Sequence, residues 1–422
     1  MAKGIVHDAL LASHHSVRGS MPSVVRTTAA IRPAPAGSTQ GVPVVTASAS
    51  SSAASTGANR FRRPLAALAT AALLGGLLTG VGAGTANASP PARTTTMRYI
   101  SPARCAANKA AGKITFVTGF EYEATVGTID PVAAQALGYY KDLCLDVAIQ
   151  AGTGDPGPTA QATAAGTSTI SELGGASDVV TTNANGIDTD AIAMYGNTNA
   201  LVLITMAKTT SLKQLEGETL GYKGSMPPQI TAMLTKAGVD TAKVKEVGVG
   251  YDPTILPRGQ VQALTGYKSN EVPTLEGDGY KIRTWDPGNY GIHGTFNALV
   301  ANPAFASAHP TAVEDFLRAT FKAFSYCQTD INPCLADLGK LTPTGFDKAS
   351  NLARWKVESK LVTSTFLPGR GIGAESVAQY TPEYKLLLGD KLIPKSINLS
   401  KVVTPQYVAA IEHNGKLIWP AP

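Results

Sequence analysis

The sequence predicts a two-lobed α/β protein: two parallel-rich sheets joined by two chain crossings, with a helical C-terminal tail. Three observations carry this. Between residues 113 and 194, short apolar runs alternate with helix-period segments, the grammar of a parallel sheet with crossover helices. A second series of the same kind opens at Ser211 and runs to about 285. Two apolar stretches, 197–207 and 294–302, stand where the chain would pass between the two series.

Element by element, the opening unit pairs a strand from Lys113 with a helix over 131–142, an Ala/Leu repeat ending in a Gly-Tyr-Tyr corner, and a strand over 145–149. Helix 157–165, strand 168–172, helix 175–184 and strand 190–194 follow. In the second series the pattern gives helix 227–237, strand 243–248, helix 253–259, strand 262–266, helix 270–277 and strand 280–285. From Pro310 onward it is helical, over 310–326, 333–341, 344–363, 374–389 and 404–412. The expected domain limits are 113–205 and 206–290 for the two lobes, with 291–422 forming the return to the first lobe and the C-terminal helices.

The N-terminal part reads differently. Residues 1–59 are rich in Ser, Ala, Thr and Pro without periodicity, and are expected to lie outside the mature protein. Arg60-Phe-Arg-Arg63, the apolar run Pro64 to Val81 and Ala86-Asn87-Ala88 form a signal peptide over 60–88, followed by a linker over 89–112. Export to the periplasm, cell surface or medium is the expected outcome, by the general or the twin-arginine route. Residues 1–88 hold seven basic side chains against Asp8 alone, so they account for the whole net charge of +6. The remainder is balanced, which removes the basic patch that nucleic-acid binding requires.

All four cysteines, Cys105, Cys144, Cys327 and Cys334, follow the signal peptide, and an exported chain with an even count suggests two disulfides. Three connectivities are open. Cys105–Cys144 is preferred because each precedes a strand of the opening unit, which leaves Cys327–Cys334 across a short loop. Their spacing does not suit zinc, and neither a metal nor another cofactor is expected. No Gly-x-Ser-x-Gly elbow, His-Glu-x-x-His run or phosphate-binding loop occurs, so no catalytic residue is assigned.

In open α/β sheets, ligands bind beyond the carboxyl ends of strands. Those loops supply the candidates: Phe120, Glu121 and Tyr122 after the first strand; Glu172 and Ser177 after the third; Tyr195, Asn197 and Asn199 at the first crossing. In the second series they are Tyr222, Lys223, Gly224 and Ser225 before Pro227-Pro228, then Tyr251 and Asp252, then Tyr267, Asn270 and Glu271. Trp285, Tyr290 and His293 flank the return. Recurring tyrosines suit stacking on a flat ring, and the carboxylates suit its amino or imide groups.

Four pieces also carry a family resemblance. Ala136-Leu-Gly-Tyr-Tyr-Lys-Asp-Leu-Cys-Leu-Asp-Val147, Gly152-Thr-Gly-Asp-Pro156, Ser211-Leu-Lys-Gln-Leu-Glu-Gly-Glu-Thr-Leu-Gly221 and the Gln262–Pro273 stretch resemble, in order, motifs of type II periplasmic-type solute-binding proteins of ABC importers. The most similar subgroup is the one named for thiamine-pyrimidine biosynthesis and uptake, and sulfonate, taurine and nitrate binders are its cousins. Cys144 stands where that family has Gly, and Gly119-Phe-Glu-Tyr-Glu-Ala124 replaces the pyrimidine binders' Trp/Asn-rich loop. The resemblance implies a non-enzymatic, monomeric protein that delivers a small heteroaromatic solute, a pyrimidine or flavin-like ring, to permease subunits in the membrane. Alternatives are a sulfonate, taurine or nitrate binder, a thiaminase-like transferase with a Cys nucleophile, and a sensor or adhesion module on the same fold. N-terminal sequencing of the exported chain is expected to read from Ser89; a start upstream of Arg60 would refute the leader assignment.

Overall fold

The computed structural model describes residues 100–422, so the low-complexity segment, the signal peptide and residues 89–99 of the linker lie outside the described residues. The first lobe begins with α1 (Pro102–Ala110), β1 (Lys113–Val117), α2 (Ile129–Ala136), α3 (Tyr139–Asp142) and β2 (Asp146–Gln150). It continues through α4 (Pro156–Ala164), β3 (Ile170–Leu173), α5 (Ala176–Ala184) and β4 (Asp190–Gly196). The single helix expected over 131–142 is two helices. Gly138 takes a left-handed φ of 79° between them, which ends one helical run and starts another.

The second lobe contains β5 (Leu201–Met206), β6 (Thr219–Tyr222), α6 (Pro228–Lys236), β7 (Lys245–Gly248), β8 (Ala263–Tyr267), α7 (Glu271–Gly277) and β9 (Ile282–Trp285). The chain then returns through β10 (Phe296–Ala301) and ends in α8 (Pro303–Ala308), α9 (Pro310–Thr329), α10 (Ile331–Leu341), α11 (Lys348–Thr363), α12 (Val377–Gly389), α13 (Leu399–Val402) and α14 (Gln406–Ile411). The helix expected over 253–259 is only a 3₁₀ turn, Pro253–Ile255, where the Asp252 side chain accepts from the Thr254 amide.

Each lobe is built on a five-stranded mixed sheet, in the orders β2-β1-β3-β10-β4 and β7-β6-β8-β5-β9. In both, the strand reached by a crossing, β10 or β5, runs antiparallel to its two neighbours, whereas the βαβ-linked pairs are parallel. That follows from connectivity: a strand that enters from the other lobe is free of the right-handed crossover constraint. β5 pairs wholly inside the second sheet, so that sheet begins at Leu201, ahead of the expected limit at 206. The apolar run of β5 reflects burial on both faces: Leu203 packs in one core cluster, Val202 and Ile204 in another.

Part of the expected linker is helix. Ser101 caps α1 through the Arg104 amide, and Arg104 bonds Glu314 at 2.6 Å and Asp315 at 2.8 Å on α9. Asp315 also pairs with the fully buried Arg318, which in turn donates to the Ile418 carbonyl at 2.6 Å. The buried charge of α9 thus holds both ends of the described chain against the first lobe.

Cys105 is bonded to Cys144 and Cys327 to Cys334, so all four cysteines are paired. Cys105 lies within α1 rather than directly before a strand. Cys144 has a φ of 60°, a conformation glycine adopts far more readily, which gives a backbone reason for the glycine that the related motif carries there. Cys105–Cys144 spans a sequence separation of 39, and loop-closure entropy of that length is worth about 3–4 kcal/mol. Cys105→Ser should lower unfolding free energy by about that amount, measured by urea titration.

Candidate functional site

A cavity of about 230 Å³ opens between the lobes, lined from both sides. The first lobe contributes Phe120 from the β1–α2 loop, Glu172 at the end of β3, and Asp178. The second contributes Lys223 after β6, Tyr251 after β7, and Tyr267, Asn270 and Glu271 after β8. Arg354 and Glu358 on α11 complete it.

The β1–α2 loop forms the first-lobe wall, and its backbone amides bond to side chains. The Gly119 amide donates to Glu172 Oε2 at 3.1 Å, and the Ala124 amide to Asn351 Oδ1 at 2.7 Å. The Val126 amide donates to Glu358 Oε2 at 2.9 Å, and the Gly127 amide to Asp130 Oδ2 at 3.1 Å. Buried backbone donors that lack strand partners would otherwise each cost about 1–3 kcal/mol. The Gly-Asp-Pro loop packs directly against this wall. Gly154 has a φ of 82°, and a Cβ there would meet the Phe120 ring at 2.7 Å, so only glycine lets the two loops approach.

Across the cleft the Phe120 and Tyr251 rings meet with centroids 5.3 Å apart. Tyr251 and Tyr267 remain 58% and 46% exposed, large aromatic faces left uncovered at the mouth. Lys223 pairs with Glu271, whose other oxygen accepts from the Tyr267 amide at 2.7 Å. Arg354 donates to Asn270 Oδ1 at 2.6 Å and approaches Glu123 at 3.2 Å. Ser269 donates to Glu358 Oε1 at 2.7 Å. Through these residues α11 touches both lobes.

The chain crosses between the lobes at 197–200 and 291–295. Asn199 Nδ2 donates to the Ile292 carbonyl at 2.8 Å, joining the two crossings. Gly294 passes so close that a Cβ would fall 1.9 Å from Asn199 Oδ1.

Of the residues that the sequence singled out, the structure brings Phe120, Glu172, Tyr251, Tyr267, Asn270 and Glu271 to the cavity, with Lys223 and Gly224. Others lie elsewhere. Tyr195 is buried with its ring edge-on to Phe321, and Tyr222 and Tyr290 pack in the second-lobe core. Strand alternation sends Tyr222 inward and its neighbour Lys223 to the cleft. The Tyr122 hydroxyl donates to the Ile149 carbonyl at 3.1 Å, and Ser177 donates to Glu383 at 2.5 Å. Glu121, Asn197, Ser225 and His293 are exposed outside the cavity. Asp252 caps its turn and pairs with Arg258, and Trp285 donates to Thr205 at 3.0 Å.

Sequence reasoning missed Glu123, Asp178, Asn297, Arg354 and Glu358. The last two sit four apart on one face of a helix in the tail, and that spacing was the one available signal.

The geometry is that of a two-lobed binding protein of the type II periplasmic class, with a cleft at the carboxyl ends of the strands of both sheets. Residues 128–330 match the family described as NMT1/THI5 like. The fold is shared with solved structures. The periplasmic aliphatic sulphonate binding protein SsuA of Escherichia coli superposes with a TM-score of 0.55 at 14% identity, over 69% of this chain and 92% of that one. The alkanesulfonate-binding protein SsuA of Xanthomonas axonopodis pv. citri, bound to MOPS, gives 0.54 at 14% identity over 69% and 98%. A protein of Bordetella bronchiseptica RB50 gives 0.54 at 19% identity over 70% and 96%. No curated protein matches the chain significantly in sequence.

Burial raises the carboxyl pKa of Glu172 to about 8, and those of Glu358 and Asp130 to about 7, with mutual repulsion adding to it and hydrogen bonds opposing it. Each folded-state value lies above that of an unfolded carboxyl. The folded protein therefore binds these protons more tightly, and the stability they contribute is lost as pH rises from about 5 to about 8. Thermal unfolding across that window should show a falling Tm, flattened in Glu172→Gln; a Tm that climbs through it would contradict the assignment.

Proposed function

We propose that this protein is the extracytoplasmic solute-binding component of an ABC importer. It captures a small flat heteroaromatic solute between its lobes and delivers it to membrane permease subunits. The observation that carries this is the interlobe cavity, with aromatic faces from both lobes and a floor of buried hydrogen-bonding groups. Contacts drawn from both lobes favour the closed arrangement, so solute binding shifts the open–closed equilibrium. The family match over residues 128–330 and the fold support a binding role. The pairing of all four cysteines supports it further, since a thiol-nucleophile enzyme has no free thiol to use.

The structural neighbours named for sulfonates raise that solute class as the second reading. The cavity argues against it. Its two cations, Lys223 and Arg354, are already engaged by the carboxyl groups of Glu271 and Glu123. An anion would enter a site with no free cation to meet it.

A thermal-shift panel of pyrimidines, flavins, aliphatic sulfonates and nitrate on the mature chain tests the reading. A true solute at 100 times its Kd should stabilise by about 2.7 kcal/mol. Tyr251→Ala and Tyr267→Ala should each remove the shift. A sulfonate hit that survives both substitutions would favour the second reading, and silence across the panel would leave the heteroaromatic reading without support.

A further inference from the structure

We propose that Glu172 anchors a cationic nitrogen group of the solute, so that the cleft selects a flat ring bearing an amidinium or ammonium and rejects its anionic counterparts. This rests on the solute-binding reading above and assigns the charge of the ligand within it.

Glu172 is only 4% exposed and lines the cavity. Its Oε2 accepts from the Gly119 amide at 3.1 Å and from Thr128 Oγ1 at 3.3 Å, while Oε1 takes no hydrogen bond. A side chain at Gly127 would place its Cβ 2.5 Å from that oxygen; the bare glycine leaves it room. A carboxyl oxygen that lines a cavity without a protein partner can take a donor or a compensating charge from a solute.

No protein cation does so. Lys223 is paired with Glu271, and Arg354 is held by Glu123, Asn270 and Asn351. The groups that face Glu172 from the surrounding elements are Asp130 of α2, Glu358 of α11 and the Tyr195 hydroxyl of β4, none of them cationic. Asp130 Oδ1 lacks a partner as well. The first-lobe wall therefore presents a carboxyl group with no protein cation beside it, and the two faces of Tyr251 and Tyr267 suit a planar cation.

Burial keeps the Glu172 carboxyl protonated at neutral pH in the empty cleft. A cationic solute replaces that proton, which passes to solvent as the ion pair forms. Affinity for a cation then rises with pH until Glu172 is ionised without help.

Isothermal titration of the mature chain with benzamidine and with benzenesulfonate, two planar probes of opposite charge, tests this. The expected result is benzamidine binding that tightens several-fold from pH 6.5 to 7.5, proton release on binding, and about tenfold weaker binding in Glu172→Gln. Benzenesulfonate should give no heat. If Glu172→Gln fails to fold by circular dichroism, Glu172→Asp, which withdraws the carboxyl from the cavity, should weaken benzamidine binding instead. Benzenesulfonate binding equal to that of benzamidine, benzamidine binding indifferent to Glu172, or no binding of either probe would overturn the proposal. A neutral ring from the solute panel that depends on Tyr251 but not on Glu172 would overturn this inference and leave the binding reading intact. Failure of every panel member and both probes would remove both.

Discussion

The backbone of the β1–α2 loop is held by carboxylates and amides borrowed from elsewhere, and the cleft depends on it. A loop at a strand's end has no ladder to satisfy its amides, yet residues 124–128 are largely buried. Glu172 from β3, Asp130 from α2, and Asn351 and Glu358 from α11 supply the acceptors. The consequence is geometric. The loop that presents Phe120 is fixed relative to both the first sheet and the tail helix, so the aromatic wall has a defined place opposite Tyr251. Burying carboxyl groups to satisfy backbone donors also explains why they cluster beside the cavity, and why desolvation favours their neutral form near physiological pH.

The tail helices turn this local arrangement into an interlobe one. On α11, Glu358 accepts from Val126 of the first lobe and Ser269 of the second, and Arg354 reaches Glu123 and Asn270. On α12, Glu383 accepts from Ser177 of α5, Gln229 of α6 and Thr295 of the return crossing. Bonds of this kind are specific in direction and individually modest, about 1 kcal/mol each, or somewhat more where a charged group takes part. A small set of them suits a hinge that must open and close: enough to define the closed geometry, and few enough to exchange when a solute enters.

Much of this was readable in the residues, for physical reasons that differ from place to place. Strand and helix alternation is set by hydrophobic period, so two α/β lobes followed by a helical tail could be read directly. Loops after strands gave Phe120, Glu172, Tyr251, Tyr267, Asn270 and Glu271, because chain direction alone puts those loops at one edge of each sheet. Side-chain direction was harder. Tyr195 and Tyr222 sit at the correct strand ends yet point into the cores, a choice that depends on strand register and not on composition. Arg354 and Glu358 come to the cleft only through the long-range packing of α11; their four-residue spacing puts them on one helix face but does not mark that face as buried. The antiparallel β5 and β10 follow from connectivity between lobes, a global property that hydrophobic patterning does not encode.

The measurement that tests this account most directly is hydrogen–deuterium exchange of the mature chain with and without a saturating solute. The account predicts added protection concentrated in the β1–α2 loop, the segment 267–271 after β8, and the Arg354–Glu358 turn of α11, where both lobes and the tail converge on the cavity. Protection confined to other surfaces, or a bound solute that leaves these three segments unchanged, would contradict it.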